Sequence, residues 1–308
     1  MSRPALLVTG SPRSGTTWTG RMLAAAPELH YVHEPFNPHS GADELGRLHF
    51  ERHFTYIHPG NAARYRDDLE RVVEGRFDVA HALRGVRRPR QLRQLLKQRK
   101  QFASRRAAGV ATLFKDPIAL MSAPWLCQEF GMQALVLIRH PGSFVASINR
   151  LEWNSRPFRW ALPQDELMRD LFAEYRTELE RMRDQEYDVI DHASMAWKLH
   201  HHAIRRYRDE HSDWLFRRHE ELSAAPVEQF KELYEALDLT WTDAAAELIA
   251  AHSDAANPDA AEGKDKALKL NSQATIGAWR QALTEQDIEI VRARTAGVFE
   301  DFYHDQPW

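Results

Sequence analysis

The chain has 308 residues, 43% of them apolar, and a formal net charge of −3. That length and apolar share support a sizeable core, read here as one domain over residues 1–308, and the near-neutral balance gives no general pull toward nucleic acid. A single cysteine, Cys127, excludes an internal disulfide and a cysteine-rich zinc site, and favours a reducing compartment.

Taken in chain order, the first apolar run, Ala5 to Val8, is too short for a signal peptide or a membrane span. With no other targeting or transmembrane segment visible, the sequence reads as a soluble cytoplasmic protein. The run forms a buried strand over residues 4–9, and a glycine-bounded loop follows. Thr16 to Ala26 is then a helix stopped by Pro27. His30 to Glu34 makes a second strand, ended by Pro35. Val110 to Phe114 and Ala134 to Ile138 are two further apolar runs, and Trp214 to Arg217 is a weaker one. Strands without polar alternation, separated by helices, predict an α/β fold with a parallel sheet covered on both faces.

Three stretches read as additions to that sheet. Residues 84–106 carry ten Lys/Arg and no acid, interleaved with leucines. Residues 165–184 predict one acidic amphipathic helix, with Leu167, Leu171, Tyr175 and Leu179 on one face. Residues 253–273 are polar and read as a loop.

The segment Gly10-Ser11-Pro12-Arg13-Ser14-Gly15-Thr16-Thr17 nearly fits G-x-x-x-x-G-K-[ST]. Backbone N–H groups of such a loop, with the positive end of the next helix, hold an anion. Position 16 carries threonine where a nucleotide kinase carries lysine, and the nearest cation is Arg13. A metal-bound triphosphate normally requires that lysine. A phosphosulfate, with one negative charge on its transferable group, does without both lysine and metal.

Pro12 to Trp18 resembles the 5′-phosphosulfate loop of the sulfotransferases that use 3′-phosphoadenosine-5′-phosphosulfate (PAPS), whose common form is P-[KR]-S-G-T-[ST]. The resemblance implies that Arg13, Ser14, Gly15, Thr16, Thr17 and the adjoining Trp18 hold the 5′-phosphosulfate. A second element supports it. Ala134 to Ile138 runs into Arg139, a proline turn and a helix carrying Ser147. An arginine fork plus a hydroxyl suits a phosphate dianion, and the spacing resembles the family's 3′-phosphate element. Arg217 to Leu222, followed by Pro226, resembles its YEDL…P segment, with His219 at the usual tyrosine position near the adenine. Lys264, Lys266 and Lys269 lie where the family closes over the nucleotide with basic residues, and Lys269 is the one assigned. The product would be 3′,5′-ADP, with no metal expected.

Sulfonate transfer needs a base for the acceptor hydroxyl and cations where charge develops. Glu34, at the end of the second strand, is the candidate base. Its apolar setting predicts a raised carboxyl pKa. Tyr31-Val32-His33-Glu34-Pro35 also resembles the "EP" element of the carbohydrate-modifying branch. The histidine of the small-molecule branch is missing, because Phe114-Lys115-Asp116-Pro117 stands in its place. His33 is the fallback base, and Lys115 the candidate for stabilising the transferring group or leaving oxygen.

The other signals are bland or ambiguous. His200-His201-His202 cannot converge on one metal, since neighbouring helical residues point ~100° apart. The basic 84–106 stretch fits a solvated helix, an anionic or glycan-like acceptor, nucleic acid or anionic lipid. Trp153 and Trp160 are the better acceptor contacts among the tryptophans. The fold expected is a P-loop-like parallel β-sheet flanked by α-helices, with insertions at about 40–108 and 150–190 forming the acceptor side. A carbohydrate or natural-product hydroxyl is the expected acceptor, with no nucleic-acid partner. Two rival readings stay open: an ATP-dependent small-molecule kinase with a degenerate loop, for which Asp116 would hold Mg²⁺, and a nucleotide-binding scaffold without turnover.

Overall fold

Each continuous apolar run does form a strand: β1 (Leu6–Gly10), β2 (Leu29–His33), β3 (Ala111–Lys115), β4 (Gln133–Ile138) and β5 (Leu215–Arg218). The computed structural model describes residues 3–39, 48–76, 79, 83, 89–153, 155–259, 269–305 and 308. Lys264 and Lys266 lie outside them. All strand pairs are parallel, in the order β2-β3-β1-β4-β5. Alternate residues enter two cores. Leu7, Val32, Phe114 and Val136 face one, while Leu6, Val8, Leu113 and Leu135 face the other. Burial on both faces is why no polar alternation marks these strands in the sequence.

Helices cover both faces, among them α1 (Thr16–Leu23), α2 (Arg66–Val73), α3 (Pro89–Ala107), α4 (Ala123–Phe130), α5 (Pro141–Arg150) and α6 (Val189–Glu210). Their ends follow local chemistry. Pro124 sits in the first turn of α4, and Gly131 ends that helix with φ 61°. Asp188 caps α6 by accepting from the Asp191 N–H at 2.8 Å.

Residues 165–184 are not one helix. They divide into Asp165–Asp170, a 3₁₀ turn at Ala173–Tyr175 and Arg176–Asp184. Leu167, Leu171, Tyr175 and Leu179 are all buried as their spacing predicts. The break falls at the consecutive pair Leu171 and Phe172, both of which are buried.

The two insertions meet. Gln164 accepts from the Tyr56 N–H at 2.8 Å and donates to the Phe54 and Trp160 carbonyls. The ring of Trp160 lies 4.8 Å from Phe54 and stacks at 5.5 Å on His200. Trp160 is therefore packed into the core.

The strand order places the functional end. From β1 the chain passes to the edge strand β2, returns to fill β3 between them, then crosses to the opposite side for β4 and β5. In such sheets the crevice opens at the carboxyl ends beside the reversal point. Register aligns Val8 and His33 with Lys115, Gly10 with Leu137, and Ile138 with Arg218. Gly10, Glu34, Lys115, Arg139 and His219 thus leave their strands at one edge.

Candidate functional site: an anion cradle beside a buried ion pair

The loop after β1 takes its shape from close backbone approaches. Gly10 has φ 141°, and a Cβ there would lie 2.2 Å from the Leu137 carbonyl oxygen. Gly15 has φ 87°, and its Cβ would lie 2.5 Å from His219 Nδ1. Both positions require glycine, the second because His219 backs the loop directly. The Ser14 hydroxyl donates to the Ser11 carbonyl at 2.6 Å and tightens the turn. Gly15 is the N-cap of α1 and supplies no side-chain acceptor, and the first turn of α1 has no acidic residue. The helix end is left as a positive, uncapped seat for an anion.

Arginines surround that seat. Arg13 Nε donates to Ser147 Oγ at 2.9 Å, and Arg139 Nη1 donates to the Arg13 carbonyl. The 5′-loop and the strand-end element identified separately in the sequence are therefore one cluster. Burial, with Arg139 and Arg150 nearby, lowers the Arg13 guanidinium to about 10, which leaves it cationic at neutral pH. Burial also lowers Arg139, opposed by the charge of Glu220. Among the described residues Ser11 Oγ, Ser143 Oγ and Arg139 Nε are buried without a hydrogen-bond partner. Buried donors left unpaired are costly. They belong to the loop after β1, the residue after β4 and the first turn of α5, and a phosphate-bearing ligand held by those segments would satisfy them.

Arg139 is braced from behind. The Trp197 indole donates to its carbonyl at 2.8 Å. Glu220 accepts from the His140 N–H at 3.0 Å and from the Tyr303 hydroxyl at 2.9 Å. Burial pushes the Glu220 carboxyl up. His140 accepts from the Gly142 N–H at 3.1 Å and stacks on Trp279 at 4.7 Å. Burial drops its imidazole to about 3, so it caps α5 in the neutral form. Sequence reasoning missed this brace, although Glu220 stands inside the YEDL-like segment and was there to be found.

Across the crevice, Glu34 follows β2 in a left-handed conformation, φ 44°. Its N–H donates to the Lys115 carbonyl at 2.9 Å. Its carboxylate accepts from Lys115 Nζ at 2.5 Å and from Asn37 Nδ2 at 3.0 Å. Burial alone would raise this carboxyl. The Lys115 ammonium and the two hydrogen bonds outweigh it and hold the group below the ordinary carboxylate value. The raised pKa expected from the apolar sequence setting is thus overturned, because the partner that decides it lies on another strand. Lys115 is fully buried, and burial lowers its ammonium against the pull of Glu34. His33 is half-exposed, shares a hydrogen bond with the Tyr31 hydroxyl at 3.0 Å, and is lowered by burial and by Lys115.

Asp116 is engaged by backbone. It is fully buried and accepts from the N–H groups of Phe36 at 2.6 Å, Ile118 at 2.9 Å and Ala119 at 3.2 Å. Burial pushes its carboxyl up to about 7. It ties the turn after β3 to the segment after β2, and its oxygens are spent on backbone.

The remaining candidates divide. Thr16 is buried at the loop. Trp18 packs into the second core, with its ring 5.1 Å from Phe230 and 6.0 Å from His219. His219 lies buried behind Gly15, with Nε2 3.3 Å from Ser223 Oγ. Lys269 is exposed. Trp153 is 41% exposed and lies under the Arg13 guanidinium, 5.6 Å from ring to cation. The three histidines diverge as expected. His200 faces Trp160, His201 stacks on Trp197 at 3.9 Å, and His202 meets the Tyr175 hydroxyl at 3.0 Å.

Among the described residues no helix is long and apolar enough to cross a membrane. Solved structures similar to this chain include a sulfotransferase domain from the curacin biosynthetic pathway. It is 12% identical over 95% of this chain and 97% of that one, with a TM-score of 0.48. A sulfotransferase domain of the Synechococcus PCC 7002 olefin synthase is 15% identical, with 95% of each chain covered and a TM-score of 0.48. A mouse sulfotransferase complexed with PAP is 12% identical over 96% of this chain and 84% of that one, with a TM-score of 0.46. No curated protein sequence matches the chain. The sequence profile of the sulfotransferase family matches residues 4–243, most of the chain and every strand of the sheet, and the chain belongs to that family of sulfonyl-transferring enzymes.

Proposed function

We propose that the chain transfers the sulfonate group of PAPS to an acceptor hydroxyl, with Glu34 as general base. The observation that carries the donor assignment is the joining of Arg13, Arg139 and Ser147 in one hydrogen-bonded cluster at the uncapped start of α1. Two anion seats linked by the Arg13–Ser147 and Arg139–Arg13 hydrogen bonds fit a nucleotide with a 5′-phosphosulfate and a 3′-phosphate. Arg13, Ser14, Gly15, Thr16 and Thr17 take the first group. Arg139 and Ser147, joined by the unpaired Ser143 hydroxyl, take the second. Trp18 and His219 support the loop from behind, and Lys269 stands ready at the edge of its polar segment.

In the reaction the acceptor oxygen bonds to sulfur as the bond from sulfur to the bridging phosphate oxygen breaks. The hydroxyl proton passes to Glu34, and 3′,5′-ADP departs. Glu34 is ionised at neutral pH, as a base must be. Lys115 beside it is the cation for charge developing on the transferring group or the leaving oxygen, so positioning and electrostatics supply most of the acceleration. No metal is required, because Asp116, the strand-end carboxylate a kinase would give to Mg²⁺, is occupied by three backbone donors.

The exposed Trp153 ring beside Arg13 offers a flat apolar surface for the acceptor, and the interlocked insertions wall that side. A carbohydrate or natural-product hydroxyl fits such a surface. The test is incubation with PAPS and an acceptor panel, followed by mass spectrometry for the added mass of one sulfonate. Transfer is the expected result. PAPS left intact with every acceptor, alongside ATP-dependent phosphorylation of any of them, overturns the proposal.

A further inference from the structure

Among the described residues only four large hydrophobic side chains are exposed, and three of them, Leu83, Leu92 and Leu96, fall in one short stretch. Scattered exposed leucines need no explanation, but this grouping does. Leu92 and Leu96 are one helical turn apart on α3, about 40° from each other around its axis. Leu95 and Phe102 hold the inner face of α3 against the body, with the Phe102 ring 5.4 Å from His30 of the edge strand β2. The two exposed leucines therefore lie to one side of the docked face.

Cations frame them. Arg93, Lys97, Arg99 and Lys100 are exposed on the same helix, and residues 84–106 contain no acid to neutralise them. Toward the end of α3 cations meet the body, where Arg105 bonds His30 and Arg106 approaches Glu74 at 3.9 Å.

We propose that α3 seats the enzyme on an anionic lipid surface, with Leu92 and Leu96 entering the headgroup boundary and the surrounding cations facing lipid phosphates. The choice of occupant rests on the leucines. A soluble polyanion would use the cations but would leave Leu92 and Leu96 in water, whereas a lipid interface takes up both features. A chain whose overall charge is −3 gains no such attraction from its net charge, so the effect belongs to this helix.

The full chain is sedimented with phosphatidylcholine vesicles containing about one third phosphatidylserine, and with phosphatidylcholine alone. Binding to the anionic vesicles only is expected. Neutralising three cations (Arg93→Gln, Lys97→Gln, Lys100→Gln) lowers partitioning by about a hundredfold, since each basic residue near such a surface strengthens attachment about fivefold. Leu92→Ser with Leu96→Ser lowers it about tenfold or more. Calorimetric binding of 3′,5′-ADP is unchanged in both variants, which establishes that they are folded. Absence of wild-type binding to anionic vesicles overturns the proposal. So does vesicle binding that ignores the leucine changes while heparin, a soluble sulfated polysaccharide, is held with equal strength. That pattern would assign the cations to a polyanionic acceptor.

Discussion

Arg13 and Ser147 lie 134 positions apart in the chain and hydrogen-bond at 2.9 Å. Arg13 belongs to the loop after β1, and Ser147 to the helix after β4. β1 and β4 are hydrogen-bonded neighbours, so a bond between that loop and that helix fixes how far apart two anions can sit. Ser147→Ala should weaken 3′,5′-ADP binding by about tenfold, the worth of one hydrogen bond to a charged group, and leave turnover at saturating donor nearly unchanged. Calorimetry and saturation kinetics on the same preparation check both parts.

Glu34→Gln keeps the shape of the side chain and removes the base. Turnover should fall by roughly 10²–10⁴, with 3′,5′-ADP affinity close to that of the unaltered protein. Unchanged turnover would remove Glu34 from the mechanism. The pH profile carries a second check. Glu34 must be ionised to accept a proton, and Lys115 holds its carboxyl below the ordinary 4.5. The acid limb of kcat/KM should therefore lie below pH 4.5, with activity lost as pH falls through the depressed value. The ion pair's contribution to stability has the same sign, present above the unfolded-chain value and lost as acid protonates the carboxylate.

Much of this was legible in the sequence, and the reasons for success and failure are physical. The strands are short apolar runs bounded by glycine and proline, signals carried by neighbouring residues. The phosphate loop is equally local. What escaped depends on partners distant in sequence. Glu34 reads as a raised carboxyl only while Lys115, 81 positions away, is left out. Asp116 reads as a strand-end metal ligand until its three backbone donors are seen. The 165–184 stretch keeps its four-residue apolar spacing across a real break, because the spacing reports which residues are buried and not whether the helix between them is continuous.

The loop glycines make a graded prediction. At Gly15 a methyl group meets an imidazole, which can be trimmed. At Gly10 it meets backbone, which cannot. Gly15→Ala should destabilise the fold by about 1–3 kcal/mol, and adding His219→Ala should recover part of the loss. Gly10→Ala should cost more and find no such rescue. Thermal unfolding of the four variants distinguishes the cases. Additive losses for Gly15→Ala and His219→Ala would mean that the imidazole does not back the loop.

Removal of metal supplies a further test. With Asp116 committed to backbone and Thr16 in place of a lysine, sulfonate transfer should proceed at the same rate in EDTA as with added Mg²⁺. A rate that collapses on chelation and returns with Mg²⁺ would bring back the kinase reading.

Two linked seats should accept a nucleotide phosphorylated on its 3′ side in preference to one that is not. Calorimetric titration of 3′,5′-ADP, 5′-AMP and Mg·ATP into the protein and into Arg139→Gln decides the matter. We expect 3′,5′-ADP to bind well ahead of both others, and Arg139→Gln to remove its advantage over 5′-AMP. Tighter binding of Mg·ATP, or a preference for 3′,5′-ADP that survives Arg139→Gln, would contradict the two-seat pocket.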